Sequence, residues 1–141
     1  MTKLLILCPV DYSDSTEPAI GLAAELAKAN NAKLILLHVI EPDEKAISMD
    51  DSNNHQFQER LRDRILDRHD IAFEHVTRRG DPAEVIVDYA KKHGVDRIVM
   101  GIHGASGLKS VFVGSVAKQV MSRASCPVVT VKLPRSTAVK S

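Results

Sequence analysis

The sequence predicts a doubly wound α/β domain: a five-stranded parallel sheet with helices on both faces. Five short apolar runs recur along the 141 residues, at Leu4 to Val10, Lys33 to Ile40, Ile71 to Thr77, Asp96 to Gly101 and Pro127 to Leu133. All but the third lack polar/apolar alternation, as strands buried on both faces of a parallel sheet should. Helix-like patterns fill the intervals between them. Strand and helix alternating in this way mean right-handed crossovers over a parallel sheet covered on both sides.

The elements follow in order. "LLILCPV" is the first buried strand. Ser15 is placed to cap the helix that follows, Pro18 is tolerated in its first turn, and Ile20, Ala23, Ala24 and Ala27 share one face before Asn30-Asn31 ends it. After the second strand, a polar stretch from Glu41 to Asn54 reads as a mobile loop ahead of a Phe57, Leu61, Ile65 stripe. The charge run from Glu59 to His69 mixes both signs and reads as the solvated face of that helix. "IAFEHVT" alternates weakly, which suits a sheet edge. "GDPAEVIVDYAKKHG" is the clearest helix: Asp81 caps it, Pro82 stands at its first position, Glu84 closes a capping box, Ala83, Ile86, Val87 and Ala90 form a stripe, and Gly94 stops it. The last helix begins near Gly114-Ser115 and presents Val116, Ala117, Val120 and Met121. Residues 1–133 are expected to form a single domain, and "PRSTAVKS" a polar, frayed tail.

Composition narrows the function classes. A chain of 141 residues with 44% hydrophobic residues can bury roughly two-thirds of its unfolded surface without staples. Its formal charge of +1, with no basic stripe interleaved with aromatics, points away from nucleic acid. No apolar run approaches the ~20 residues that cross a bilayer, and "KLLILC" is too short to serve as a signal, so no membrane association is expected. The two cysteines, Cys8 and Cys126, have no spacing that suggests metal or redox work and read as reduced, cytoplasmic thiols. The six histidines show no paired metal-ligand spacing.

In doubly wound sheets, ligands sit beyond the carboxyl ends of the strands where strand order reverses. The first strand ends in "CPVDYSDS", with no glycine, so neither a dinucleotide fingerprint nor a Walker A loop is present. Asp11 there either caps a turn or accepts hydrogen bonds from ribose hydroxyls or an exocyclic amine. A phosphoacceptor receiver is excluded, because Arg78 and Arg79 stand where its acceptor aspartate should follow the third strand. The stretch "GIHGASGLKSVFVGS" holds four of the chain's 7 glycines between a buried strand and a helix. Bare backbone and a helix N-terminus suit a phosphate. A flexible loop that only needs tight turns is the other reading. Ser115 offers a hydroxyl. Lys109 is either a mobile cation or solvated, and His103 either titrates beside a phosphate or is a partly exposed loop residue.

The spacing Gly101-x2-Gly104-x9-Gly114-Ser115 resembles the nucleotide-binding signature of the universal stress protein family. "PVDYS", "LLHVI", "GDPAEVIVDYA" and the block from Ile98 to Val131 resemble that family's other conserved segments, so the likeness runs from residue 3 to 133. The resemblance is to the ATP-binding type, since a non-ATP-binding branch lacks the glycine pattern. It implies a sheet order of 3-2-1-4-5. It implies Asp11 and Val39 at adenine or ribose, with Pro9, Val10 and Met100 nearby. Gly101 and Gly104 would cradle ribose and phosphates, and Gly114, Ser115 and Val116 would present amides and a hydroxyl to the phosphates. The implied ligand is ATP, or AMP as its product, with any Mg or Mn carried by the phosphates rather than by protein side chains. Family dimers resemble a pairing of last strands about a two-fold axis, so the strand Pro127 to Leu133 is expected to form a homodimer.

Three functions are consistent with these features. The first is a nucleotide-dependent stress-response regulator, favoured because no carboxylate or histidine obviously positions an attacking water. The second is a slow nucleotide hydrolase or nucleotidyl-transfer enzyme. The third is a chaperone-like interaction protein with a vestigial nucleotide site.

Overall fold

The computed structural model describes residues 3–10, 17–40, 59, 70–102 and 114–132. These form strands β1 (Leu5–Val10), β2 (Lys33–Ile40), β3 (Phe73–Arg79), β4 (Arg97–Ile102) and β5 (Val128–Lys132), with helices α1 (Glu17–Asn30), α2 (Pro82–His93) and α3 (Gly114–Arg123). The sheet is five-stranded with order β3-β2-β1-β4-β5. Every pairing in it is parallel.

Successive residues of a strand face opposite sides, and the chain uses both. Ile6, Cys8, Val10, Leu34, Leu36 and Val99 pack with the alanine face of α1, while Leu7, Ile35, Leu37, Val39, Ile98 and Met100 pack with α2 and α3. Right-handed crossovers require this division. The chain moves one way across the sheet from β1 to β2 and the other way from β4 to β5, so α1 and α3 must cover opposite faces. Ala19, Ile20, Ala23, Ala24 and Ala27 of α1 are fully buried. The four alanines let the helix approach the sheet closely, where added bulk costs about 1–3 kcal/mol.

The helix ends behave as their residues dictate. Asn31 takes a left-handed φ of 52° after α1, and Ala32 N–H returns to the Ala27 carbonyl at 2.8 Å. Asp81 accepts the Glu84 N–H at 3.1 Å and caps α2, with Pro82 in the first turn. Gly94 at φ 65° closes the other end, its N–H reaching the carbonyls of Ala90 and Lys91. Asp96 locks the central register: its N–H donates to the Leu5 carbonyl at 2.9 Å, and its Oδ2 accepts the Leu5 N–H at 2.8 Å.

The structure differs from the sequence reading at the margins. β3 begins and ends two residues later than expected, because the first two residues of that run, Ile71 and Ala72, precede its ladder with β2. The expected apolar position Met121 is 48% exposed, since Ala117 and Val120 already hold α3 against the sheet. β5 is half-buried along most of its length rather than fully covered, as befits a strand with one neighbour. Ser15, the segment Glu41 to Asn54, the Phe57, Leu61, Ile65 stripe and the tail 134–141 lie outside the described residues, although Glu59 is helical.

Between β3 and α2 the chain turns at Gly80, whose φ of 148° L side chains rarely adopt and whose N–H donates to the Ile40 carbonyl at 2.9 Å. A Cβ here would stand 2.8 Å from Val85 Cγ2. Gly80→Ala should therefore destabilise the protein by about 1–3 kcal/mol, from backbone strain and overlap together. Urea unfolding followed by circular dichroism checks this, and an unchanged midpoint would contradict it.

Candidate functional site

At the carboxyl ends of the strands, β1 and β4 stop pairing early. β1 pairs with β2 from Leu5 through Val10, whereas its ladder with β4 holds only Ile6 with Arg97 and Leu7 with Ile98. Proline explains the difference. The Leu4 carbonyl accepts from Lys33 in β2 and the Leu5 carbonyl accepts from Asp96 beside β4, so odd residues of β1 turn their backbone groups toward β4. In β4, Ile98 N–H donates to Pro127 beside β5, so Val99 and Gly101 face back toward β1. The next rung would run from the N–H of residue 9 to the Val99 carbonyl, and Pro9 has no N–H to give.

The sequence-derived residues at this end fall into two groups. Val10, Val39, Met100 and Gly101 are buried, on the three central strands, and Pro9 stands among them in β1. Gly114, Ser115 and Val116 open α3, with Ser115 exposed and Val116 half-buried. The topology brings both groups to one edge, because α3 enters from the end of β4. Asp11, His103, Gly104 and Lys109 lie outside the described residues.

The two helix N-termini on that face differ. In α2 a side-chain carboxylate already satisfies a backbone donor, and Glu84 adds a second negative charge in the first turn. In α3 no acidic residue stands in the first turn. Its first backbone N–H groups have no intrahelical partner, and the helix dipole places about half a positive charge there. An anion fits the α3 end and would meet repulsion at α2.

The described site residues offer apolar side chains, the Ser115 hydroxyl and glycine backbone, with the buried His38 beside Val39 in β2. Cys8, one residue before Pro9, is fully buried and its thiol is pushed up to about 12 by desolvation, so it is no nucleophile at neutral pH. Among the described residues no group of His, Cys, Asp and Glu could hold a metal ion. None of the described helices is long and apolar enough to cross a membrane.

Tertiary packing also pairs groups that spacing does not reveal. His38 and His75 face the α1 side of neighbouring strands, and burial, with the charge of His38, lowers the His75 pKa below its ordinary value. The signal available for them was strand register rather than a motif: both fall on the parity of Leu34 and Leu36.

A family model described as the universal stress protein family matches residues 5–132. Universal stress protein YxiE of Bacillus subtilis is 32% identical over 146 residues, spanning 90% of this chain and 97% of that protein. A universal stress protein from Archaeoglobus fulgidus solved in complex with dAMP superposes with a TM-score of 0.69 at 22% identity, over 93% of this chain and 98% of its own. A separate universal stress protein structure, in complex with cAMP, gives a TM-score of 0.65 at 23% identity, over 95% of this chain and 100% of its own. At those identities the superpositions show a shared fold.

Restoring the missing donor should lengthen the central ladder. In Pro9→Ala the new amide is expected to donate to the Val99 carbonyl and to exchange with solvent as slowly as the Leu7 amide. Residue-resolved hydrogen exchange measures this, and exchange at the rate of an open loop would show that the interruption has another cause.

Proposed function

Since this chain belongs to the universal stress protein family, we propose that it binds ATP, or AMP as its product, beyond the carboxyl ends of β1 and β4, and acts as a nucleotide-dependent stress-response regulator. The observation that carries this reading is the α3 N-terminus, free of acidic residues, set beside a central ladder that Pro9 cuts short. In this reading Pro9, Val10, Val39 and Met100 supply the apolar wall for adenine, and Asp11 accepts from ribose or the adenine amine. Gly101 and Gly104 let backbone approach the sugar and phosphates. The phosphates rest on the amides of Gly114, Ser115 and Val116, with His103 and Lys109 within reach of their charge and Mg or Mn carried on their oxygens.

Two neighbours of the same fold were solved with adenine nucleotides, which supports this ligand class. None of the described residues assigned to the ligand in this reading titrates near neutral pH, which favours a regulator over an enzyme. Free Cys8 and Cys126 suit the reducing cytoplasm. The half-buried β5, at the sheet edge, suits pairing with a second copy of the chain about a two-fold axis.

Gly114→Val should abolish ATP binding by filling the phosphate space while the protein remains folded. Asp11→Ala should weaken binding and flatten its preference for adenine and ribose. Calorimetric titration of ATP, GTP and inorganic triphosphate into each variant tests both, and wild-type affinity in Gly114→Val would refute the placement. Mass spectrometry of small molecules released from freshly purified, undialysed protein identifies the resident nucleotide.

A further inference from the structure

Away from the carboxyl ends of β1 and β4, a groove runs between edge strand β3 and helix α2. It holds a hollow of about 550 Å³, within the range of small-molecule sites. Its floor is apolar, from Leu5, Ile35 and Val76, and its walls carry Lys33, Glu74, Arg78, Tyr89 and His93. A second hollow of about 290 Å³ adjoins it through Arg78, Tyr89 and His93 and adds Arg79, Asp88 and Lys92. None of these residues belongs to the nucleotide reading above.

The walls are built for a flat group. The Tyr89 and His93 rings meet edge to face with centroids 4.0 Å apart, and the Arg78 guanidinium lies 5.6 Å from the Tyr89 centroid. Arg78 is held there by its own Nη1, which donates to the Thr77 carbonyl at 2.9 Å. His93 Nδ1 is buried with no hydrogen-bond partner among the described residues, a cost that packing alone gives no reason to carry. Burial, then Glu74, pushes the Tyr89 phenol above its ordinary value, so its hydroxyl stays a donor at neutral pH.

The charges select the ligand. Four cations, Lys33, Arg78, Arg79 and Lys92, line the two hollows against two carboxylates, Glu74 and Asp88. Glu74 is taken by Lys33 at 2.9 Å. The remaining excess is positive and includes two guanidinium groups, whose planar forks match a carboxylate. A dianionic phosphate fits less well, because Asp88 and the negative end of the α2 dipole at His93 repel the second charge.

We propose that this groove is a second ligand site, independent of the nucleotide end, for a small aromatic carboxylate. The ring lies against Tyr89 and the apolar floor, and the carboxylate pairs with Arg78, aided by Arg79 and Lys92. Nitrogen-15 amide spectra of the full chain, titrated with benzoate, test it. The expected result is saturable shifts clustered at Thr77 to Gly80 and Asp88 to His93, unaltered by saturating ATP. Arg78→Gln, an exposed change that the fold tolerates, should weaken binding about tenfold or more, and Tyr89→Leu should weaken it while leaving the amides of β1 and β4 in place. Equal affinity in Arg78→Gln overturns the proposal. So does competition by ATP, or shifts confined to Gly101 and Gly114. Inorganic phosphate and cyclohexanecarboxylate serve as the other arms: weaker binding of both supports the flat carboxylate, and phosphate binding as tight as benzoate defeats it. Loss of ATP binding in Gly114→Val with benzoate binding intact separates this site from the nucleotide site.

Discussion

The central strand constrains everything else. β1 lies at the centre of the sheet, its backbone engaged by β2 and β4 near its start and its side chains buried on both faces, so its residues have almost no freedom of type. Asp96 clamps the start of that strand to the start of β4 through two hydrogen bonds with one residue, Leu5. Pro9 releases it from β4 near the other end. A parallel sheet needs continuous donors to stay closed, and a single imino acid at the point of strand-order reversal removes one. The central strand is thereby held on both sides at its start and released from β4 toward its carboxyl end.

Covering both faces demands two kinds of helix surface. α1 packs four alanines and Ile20 against its face of the sheet. α2 uses branched residues, Ile86 and Val87, and leaves its flank, with Tyr89 and His93, standing away from β3. The groove lies at a sheet edge, where no further strand among the described residues fills the gap. Arg78 and Arg79 at the end of this edge also discourage another strand from adding there, because a charged edge is costly to bury. The opposite edge, β5, carries no such pair of charges among its described residues until Lys132.

Electrostatics is distributed by helix ends rather than by ion pairs. The single ion pair among the described residues, Lys33 with Glu74, has side chains 37% and 53% exposed and adds at most ~1 kcal/mol. The α2 terminus is neutralised by its own aspartate, and the α3 terminus is left without one. Two helices on one face thus differ in the charge at their N-termini through the presence or absence of carboxylates there. The lone buried thiol at Cys8 contributes packing and no chemistry, because desolvation keeps it protonated.

Sequence alone determined the parallel sheet, the caps of α2 and the end of α1, because these depend on local physics: side-chain periodicity, the donor missing from proline, and the conformations open to glycine and asparagine. Asp81, Pro82 and Gly94 sit at the ends of α2 as their chemistry requires. Strand order came from family likeness rather than from the pattern of apolar residues, since apolar runs do not say which neighbour they pair with. Only the tertiary structure decided that Pro9 faces β4 rather than β2, that Met121 lies outside the core, and that Arg78, Tyr89 and His93 share one groove. Those facts depend on strand parity and on the distance between elements far apart in the chain, and no short stretch of residues encodes either.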